Sequence, residues 1–239
     1  MELKTFIRKN FKRDVDGVIP FLVDEIILKD FYAIGAFRNK VKKEIKTIFD
    51  FGANIGVFSI YAHLLFPTAR IIAVEGNPEI AELLKYNLGL IDGFSNYAID
   101  VLLIHKDVRR VSLGVIYDKP GIASSSICIK ANDDASGKFL TVPFDKYIDS
   151  IEYDEPYIFK FDIEGGEEGI FVSSKGEDFI RKSEMTTFEL HFGKKFGGIS
   201  KDYYFKKLEL FNDTHNLNIL YTGKMIVMGN LVKKEYGCL

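Results

Sequence analysis

Four stretches between Ile45 and Leu88 alternate in period: IKTIFD, IGVFSIYAHLLF, RIIAVE and NPEIAELLKYNL. The first and third are short and apolar, and RIIAVE is apolar on both faces. A strand of that kind needs cover on both sides, which a parallel sheet flanked by helices supplies. The second and fourth carry helical spacing. Pro67 ends the first helix, read over Ile55–Phe66. Asn77 caps the second, with Pro78 at its first position and Glu79 in its first turn, and Ile80, Leu83, Leu84 and Leu88 form its apolar stripe. Strands at Ile45–Asp50 and Arg70–Glu75, joined in this way, predict βαβ units and an α/β fold.

The rhythm continues with a third strand near Asn96–Ile99. It then breaks. From about Val111 to Thr141 the chain reads as short β segments, with a turn at Pro120–Gly121 and a serine run at Ser124–Ser126. Such excursions often decorate the ligand side of a sheet. Beyond it the pattern predicts a helix near Phe144–Ile151, a strand at Tyr157–Asp162, one helix between Glu167 and Lys182, a strand at Thr186–His191 and a helix over Asp202–Asn212. The segment LNILYTGKMIVMGNLV is two apolar runs around Thr222-Gly223-Lys224, a hairpin signal. The last strand is therefore expected to run antiparallel, at or near the sheet edge. Residues 1 to about 45 read as one or two helices, around Glu2–Arg13 and Phe21–Asp30. The expected organisation is a helical extension over 1–44 and one domain over 45–239, with a β-rich insertion near 108–142.

Composition narrows the function classes. The 239 residues carry a net charge of −2, so the chain does not read as a general nucleic-acid binder. Lys4, Arg8, Lys9, Lys12 and Arg13 read as a solvated helix face. Cys128 and Cys238 form neither a disulfide framework nor a zinc spacing, so a reducing cytoplasm is expected. The Met1 region lacks an apolar signal core, and runs such as Val101–Ile104 fall far short of the roughly 20 residues needed to span a bilayer. Oligomeric state is left open.

The stretch from Asp50 to Gly56 reads Asp-x-Gly-x-Asn-x-Gly across a strand, a turn and a helix start. Gly52 permits backbone angles closed to other residues and a close approach by a ligand. The turn brings that ligand to N–H groups near a helix N-terminus. Neither the dinucleotide spacing G-x-G-x-x-G nor the phosphate-binding loop is met. Glu75 ends the neighbouring strand, beside the crevice where doubly wound sheets bind ligands. An ionised carboxylate there can accept both hydroxyl hydrogens of a ribose. A glycine turn with a ribose acceptor and no phosphate fingerprint suggests a nucleoside ligand without a pyrophosphate, and S-adenosylmethionine fits.

The blocks FDFGANIGVFSIYA, AVEGNP, VPFDKYI, FKFDIEGGEEGIF and FELH resemble, in order, the motifs of the FkbM family of methyltransferases, over roughly Ile45 to Phe192. Phe51 stands where the family prefers Ile, and Gly166-Glu167 where it usually has Ala-Glu. The resemblance implies a class I methyltransferase fold: a Rossmann-like, mostly parallel seven-stranded sheet with an antiparallel C-terminal strand and helices on both faces. It implies that Asp50 and the turn residues Gly52, Ala53, Asn54 and Gly56 embrace the methionine part of S-adenosyl-L-methionine. Glu75 would bind the ribose, and Ala98 would touch the adenine. The implied acceptor is a sugar, glycan or small metabolite.

A second cluster lies downstream. Asp162 and Glu164 flank Ile163 at one strand end, and Glu189 and His191, two apart, share one side of the next strand. Each has a plainer reading: Asp162 as a helix cap, Glu189 as a structural acceptor, His191 as a hydrogen-bonded rim residue. Gathered beside the glycine turn they read as catalytic, with Asp162 or His191 as general base and Glu189 orienting the histidine. The same oxygens, Asp162 and Glu189 first, could instead hold a divalent cation, which is the less favoured reading. Transfer to nitrogen, a nucleotide-dependent oxidoreductase and a non-catalytic nucleoside-binding module are the competing readings.

Overall fold

The structure, a computed structural model, describes residues 18–112, 114–116, 124–126, 137–196 and 198–239. The helix expected around Glu2–Arg13, the Pro120–Gly121 turn and Cys128 lie outside the described residues. A short helix α1 (Val18–Leu22) runs into a π-helical stretch (Val23–Leu28), and α2 (Ile34–Arg38) follows. Then come β1 (Thr47–Phe51), α3 (Val57–Leu65), β2 (Arg70–Val74), α4 (Pro78–Leu88) and β3 (Tyr97–Asp100). The excursion holds β4 (Leu103–Ile104), β5 (Arg110–Val111), β6 (Gly114–Ile116), β7 (Ser124–Ser126) and β8 (Phe139–Val142). The remainder is α5 (Phe144–Ser150), β9 (Tyr157–Phe161), α6 (Glu167–Val172), α7 (Gly176–Lys182), β10 (Met185–His191), α8 (Lys201–Glu209), β11 (His215–Thr222) and β12 (Ile226–Lys233).

Seven strands form one sheet in the order β11-β12-β10-β9-β1-β2-β3. The five strands from β10 to β3 are parallel, so their C-terminal ends share one edge. The hairpin β11–β12 closes the sheet, with β12 antiparallel to β10 and one place in from the edge. Strand order reverses between β1 and β9, which opens a crevice at the C-terminal edge.

Alternation along β1 divides the core. Ile48 faces a cluster under α3 and α4, and Phe49 and Phe51 face a second one under α5, α6 and α7. The second is an aromatic cage: Phe49 meets Tyr153, Tyr157, Phe159 and Phe179 edge-on at 5.1–6.4 Å, a favoured geometry for aromatic pairs. Val23, Ile34 and Phe37, ahead of the sheet, are fully buried in the first cluster with Ile48 and Phe58.

The helix expected over Glu167–Lys182 is two helices. Gly176 lies so close to the Ile170 carbonyl that a Cβ there would stand 1.8 Å from its oxygen, and Ser173 accepts a hydrogen bond from the Lys175 N–H across the break. Ser173, Ser174 and Gly176 mark the break in the sequence. The Asn77 cap forms as expected, its side chain accepting from the Glu79 N–H.

Candidate functional site

The crevice holds a cavity walled by the turn Gly52–Asn54, the β2 tip Val74–Asn77, the chain after β3 (Leu102–Ile104) and the ends of β9 and β10. Its remaining wall comes from Val57, Phe58 and Ile80 on the helices after β1 and β2, and from Leu22, Glu25, Ile26 and Tyr32, ahead of the sheet.

On one side Glu75 carries the chemistry. Its Oε2 accepts the Asn54 N–H at 2.9 Å and its Oε1 the Asn77 N–H at 2.8 Å. The two bonds aim the carboxylate and leave each oxygen a lone pair for a further donor. Burial pushes the Glu75 carboxyl up, while these backbone bonds and Lys160 pull it down. Apolar Val74, Ile80, Leu102 and Leu103 flank it. This donor set suits a nucleoside: a hydroxyl acceptor beside an apolar slot.

The turn has the backbone its glycines suggest, and the expected contact residues Asp50 and Ala98 lie away from the cavity. Gly52 has φ +76° and Gly56 φ +94°, both left-handed. A Cβ on Gly52 would stand 1.6 Å from the Asp162 carbonyl oxygen, so this glycine admits the neighbouring strand end as well as lining the cavity. A Cβ on Gly56 would meet Leu84 at 2.8 Å, so that glycine seats α4. Asp50 does not reach the cavity. It is fully buried, accepts from Ser59 Oγ at 2.6 Å and pairs with Lys160 Nζ at 3.1 Å. Ala98 sits inside β3, paired with Ile72, and does not line the cavity. The chain four residues on, from Leu102, does.

Lys160 was not singled out from the sequence. It is the β9 register partner of Asp50, and its ammonium also donates to the Gly52 carbonyl at 2.7 Å and the Phe51 carbonyl at 3.2 Å. Burial alone would lower its pKa, but Asp50 and Asp162 outweigh that and hold it above the ordinary lysine value. The lysine is thus a fixed cation that locks the glycine turn to the sheet.

The opposite side gathers acids. Asp162, Glu164 and Glu189 line the cavity, as expected from their strand ends. The Tyr32 hydroxyl donates to Asp162 Oδ2 at 2.9 Å. Glu164 has left-handed backbone at φ +53°, and residues held in such conformations concentrate at functional sites. Burial pushes its carboxyl up to about 8 against the pull of His191, with Asp162 and Glu189 adding repulsion. Burial, then Asp162, likewise raises Glu189.

His191 lies behind these carboxylates and does not line the cavity. Its Nδ1 is 2.9 Å from Glu167 Oε1, and its Nε2 is 3.3 Å from both Glu164 Oε2 and Glu189 Oε1. Burial disfavours the imidazolium, but Glu167, Glu189 and Glu164 more than offset this and raise its pKa well above the ordinary value. Glu167 holds the ring at Nδ1 and Glu189 faces it at Nε2, so both orient it. Glu167 is fully buried and also accepts from the Ile163 and Gly165 N–H groups at 3.0–3.2 Å, so it fixes the turn that carries Glu164. The third acid of the run Asp-Ile-Glu-Gly-Gly-Glu, one helical turn beyond Glu164, was the available signal. Tyr32 and Glu25 had none, because nothing in sequence links them to the strand ends. Asp162, Glu164 and His191 offer ligand atoms within 4.8 Å of one another, close enough for a cation. The other histidines are structural: His63 stacks on Phe94 at 4.0 Å, His105 Nδ1 accepts the Asp107 N–H, and His215 lies against Ser183 and Thr214.

Comparison with known proteins adds the family. No curated protein sequence matches the chain. Among solved structures, a Clostridium thermocellum protein provisionally assigned as an rRNA-methylase superposes with a TM-score of 0.51 at 12% identity, covering 86% of this chain and 96% of that one. The methyltransferase domain of METTL16 superposes with a TM-score of 0.54 at 9% identity, covering 97% of this chain and 77% of that one. At such identities these neighbours show the fold alone, that of class I methyltransferases. The model of the methyltransferase FkbM domain matches residues 50–218, from the aspartate under the glycine turn to beyond the histidine strand. That span is well over half of the sequence, and the chain belongs to the FkbM methyltransferase family.

Proposed function

We propose that the protein transfers a methyl group from S-adenosyl-L-methionine to a hydroxyl oxygen of a sugar, glycan or small metabolite. The observation that carries this reading is one cavity holding both Glu75, with a lone pair left on each oxygen, and Asp162 across from it. The donor fits these residues. Glu75 would take its ribose hydroxyls, and Val74, Ile80, Leu102 and Leu103 would enclose its base. Asp50, Gly56 and Lys160 shape the turn from behind. When bound, the donor supplies an electrophilic methyl on a positively charged sulfur.

The chain's own residues supply the rest. An in-line displacement needs the acceptor oxygen held about 3–3.5 Å from the methyl carbon. Asp162 serves as general base: it lines the cavity, Tyr32 holds one of its oxygens, and the other is available to take the acceptor's proton. His191 is better read as a positioning cation, since both ring nitrogens face carboxylates and the ring stays behind the wall. A divalent cation on Asp162 and Glu189, or on Asp162, Glu164 and His191, is the less favoured alternative. None of the described helices is long and apolar enough to cross a membrane. On its cysteine usage we read the protein as cytoplasmic. The test is transfer of a labelled methyl from the donor to a panel of glycosides, alongside thermal shifts with S-adenosylhomocysteine and with NAD. Stabilisation by NAD alone, or donor binding without transfer to any acceptor, would overturn it.

A further inference from the structure

The half of the cavity facing Glu75 offers an incoming acceptor an unusual surface. Asp162, Glu164 and Glu189 there meet Glu25, which comes from the π-helical stretch Val23–Leu28. That stretch precedes the part of the chain matched by the family model. It is firmly seated. Val23 and Ile34 are fully buried, and the Asp30 carboxylate accepts the Gly35 and Ala36 N–H groups at 2.8 Å each. Tyr32 then ties it to Asp162. The backbone that carries Glu25 is therefore held against the wall.

Lys160 is the one lysine or arginine among the described wall residues. An ammonium has three hydrogens, and three oxygens face this one: Gly52 O at 2.7 Å, Asp50 Oδ1 at 3.1 Å and Phe51 O at 3.2 Å. The Tyr32 hydroxyl hydrogen is likewise engaged, on Asp162. With His191 Nε2 engaged by Glu164 and Glu189 behind it, this half of the wall presents carboxyl oxygens and no unspent cation. A phosphate, a uronate or a polynucleotide backbone would meet acid oxygens and no free cation, which costs affinity. An ammonium group supplies the missing donors and charge.

We infer that the acceptor carries a protonated amine near its accepting hydroxyl, as in an amino sugar or amino alcohol, and that Glu25 is the residue that selects it. This rests on the donor reading above. The experiment measures binding to the full chain saturated with S-adenosylhomocysteine, at pH 7, for four probes: methyl glucosaminide, methyl N-acetylglucosaminide, methyl glucuronide and magnesium chloride. The glucosaminide should bind about tenfold more tightly than its N-acetyl counterpart, the scale of one charge-assisted contact, and the glucuronide should not bind. Glu25→Gln should erase most of that preference, with its S-adenosylhomocysteine affinity measured as the control for folding. Equal binding of the amine and N-acetyl probes, no binding of the amine, stabilisation by magnesium alone, or an unchanged preference in Glu25→Gln would overturn the inference while the donor reading stands. Failure of S-adenosylhomocysteine to bind overturns both.

Discussion

Replacing Glu75 by alanine removes two oxygens with two duties each. In the folded protein they accept the Asn54 and Asn77 N–H groups at 2.9 and 2.8 Å, and their remaining lone pairs face the site proposed for the ribose. A hydrogen bond to a charged acceptor contributes about 1.5–3 kcal/mol. Losing one such net contribution should weaken S-adenosylhomocysteine binding about 10- to 150-fold. The two abandoned N–H groups also lower stability, by about 1 kcal/mol each where water reaches them. Glu75→Gln separates the effects. It keeps one acceptor oxygen but turns an NH2 toward a backbone donor, so binding should fall while shape is conserved. Isothermal titration gives the affinities, and circular dichroism at the same temperature shows whether each variant is folded. A folded Glu75→Ala protein whose affinity stays within about twofold of wild type, a difference well below one hydrogen bond, would refute the assignment.

Four further outcomes are expected. Gly52→Ala should destabilise severely or prevent folding, because its Cβ would stand 1.6 Å from the Asp162 carbonyl oxygen at a left-handed φ; soluble yield and urea midpoint read this directly. Lys160→Met should cost about 3–5 kcal/mol in urea unfolding by stranding buried Asp50, and Asp50→Asn in the same chain should recover part of it. Asp162→Asn should lower turnover about 10²–10⁴-fold with donor affinity kept, the range for loss of a general base, and His191→Gln should cost less; the reverse ranking in labelled-methyl transfer would make the histidine the base. Stability should fall as pH rises: folded Glu164 titrates at about 8 against 4.5 for the free group, so its contribution is fully present below about pH 4.5 and lost by about pH 8. His191, also raised, acts in the same direction above its ordinary value. Glu164→Gln should flatten this slope in urea titrations at pH 5, 7 and 9, and an unchanged slope would exclude Glu164 as its source.

The sheet was legible because buried parallel strands write themselves as short doubly apolar runs, and each run here also ends on a chemical residue: Asp50, Glu75, Asp162. The cluster of Asp162, Glu164, Glu189 and His191 followed from adjacency of strand ends. What could not be read is what depends on register and on distant packing. Asp50 and Lys160 are an ion pair only because β1 and β9 align Asp50 with Lys160. The purpose of Gly52 depends on how close Asp162 comes, and the place of His191 on Glu167 reaching back from the first turn of α6. Tyr32 lies 130 residues from the aspartate it holds, and no local pattern encodes such a contact. The long helix read over Glu167–Lys182 failed for a related reason, since Ser173, Ser174 and Gly176 are weak breakers on their own and the break shows in how closely Gly176 approaches the Ile170 carbonyl.

The most direct measurement of the central claim is a crystal structure grown with S-adenosylhomocysteine. The account predicts its ribose hydroxyls on Glu75, its base against Ile80 and Leu103, and its sulfur turned toward Asp162. Its ribose held by any other group, or a cavity still empty at saturating ligand, would contradict it.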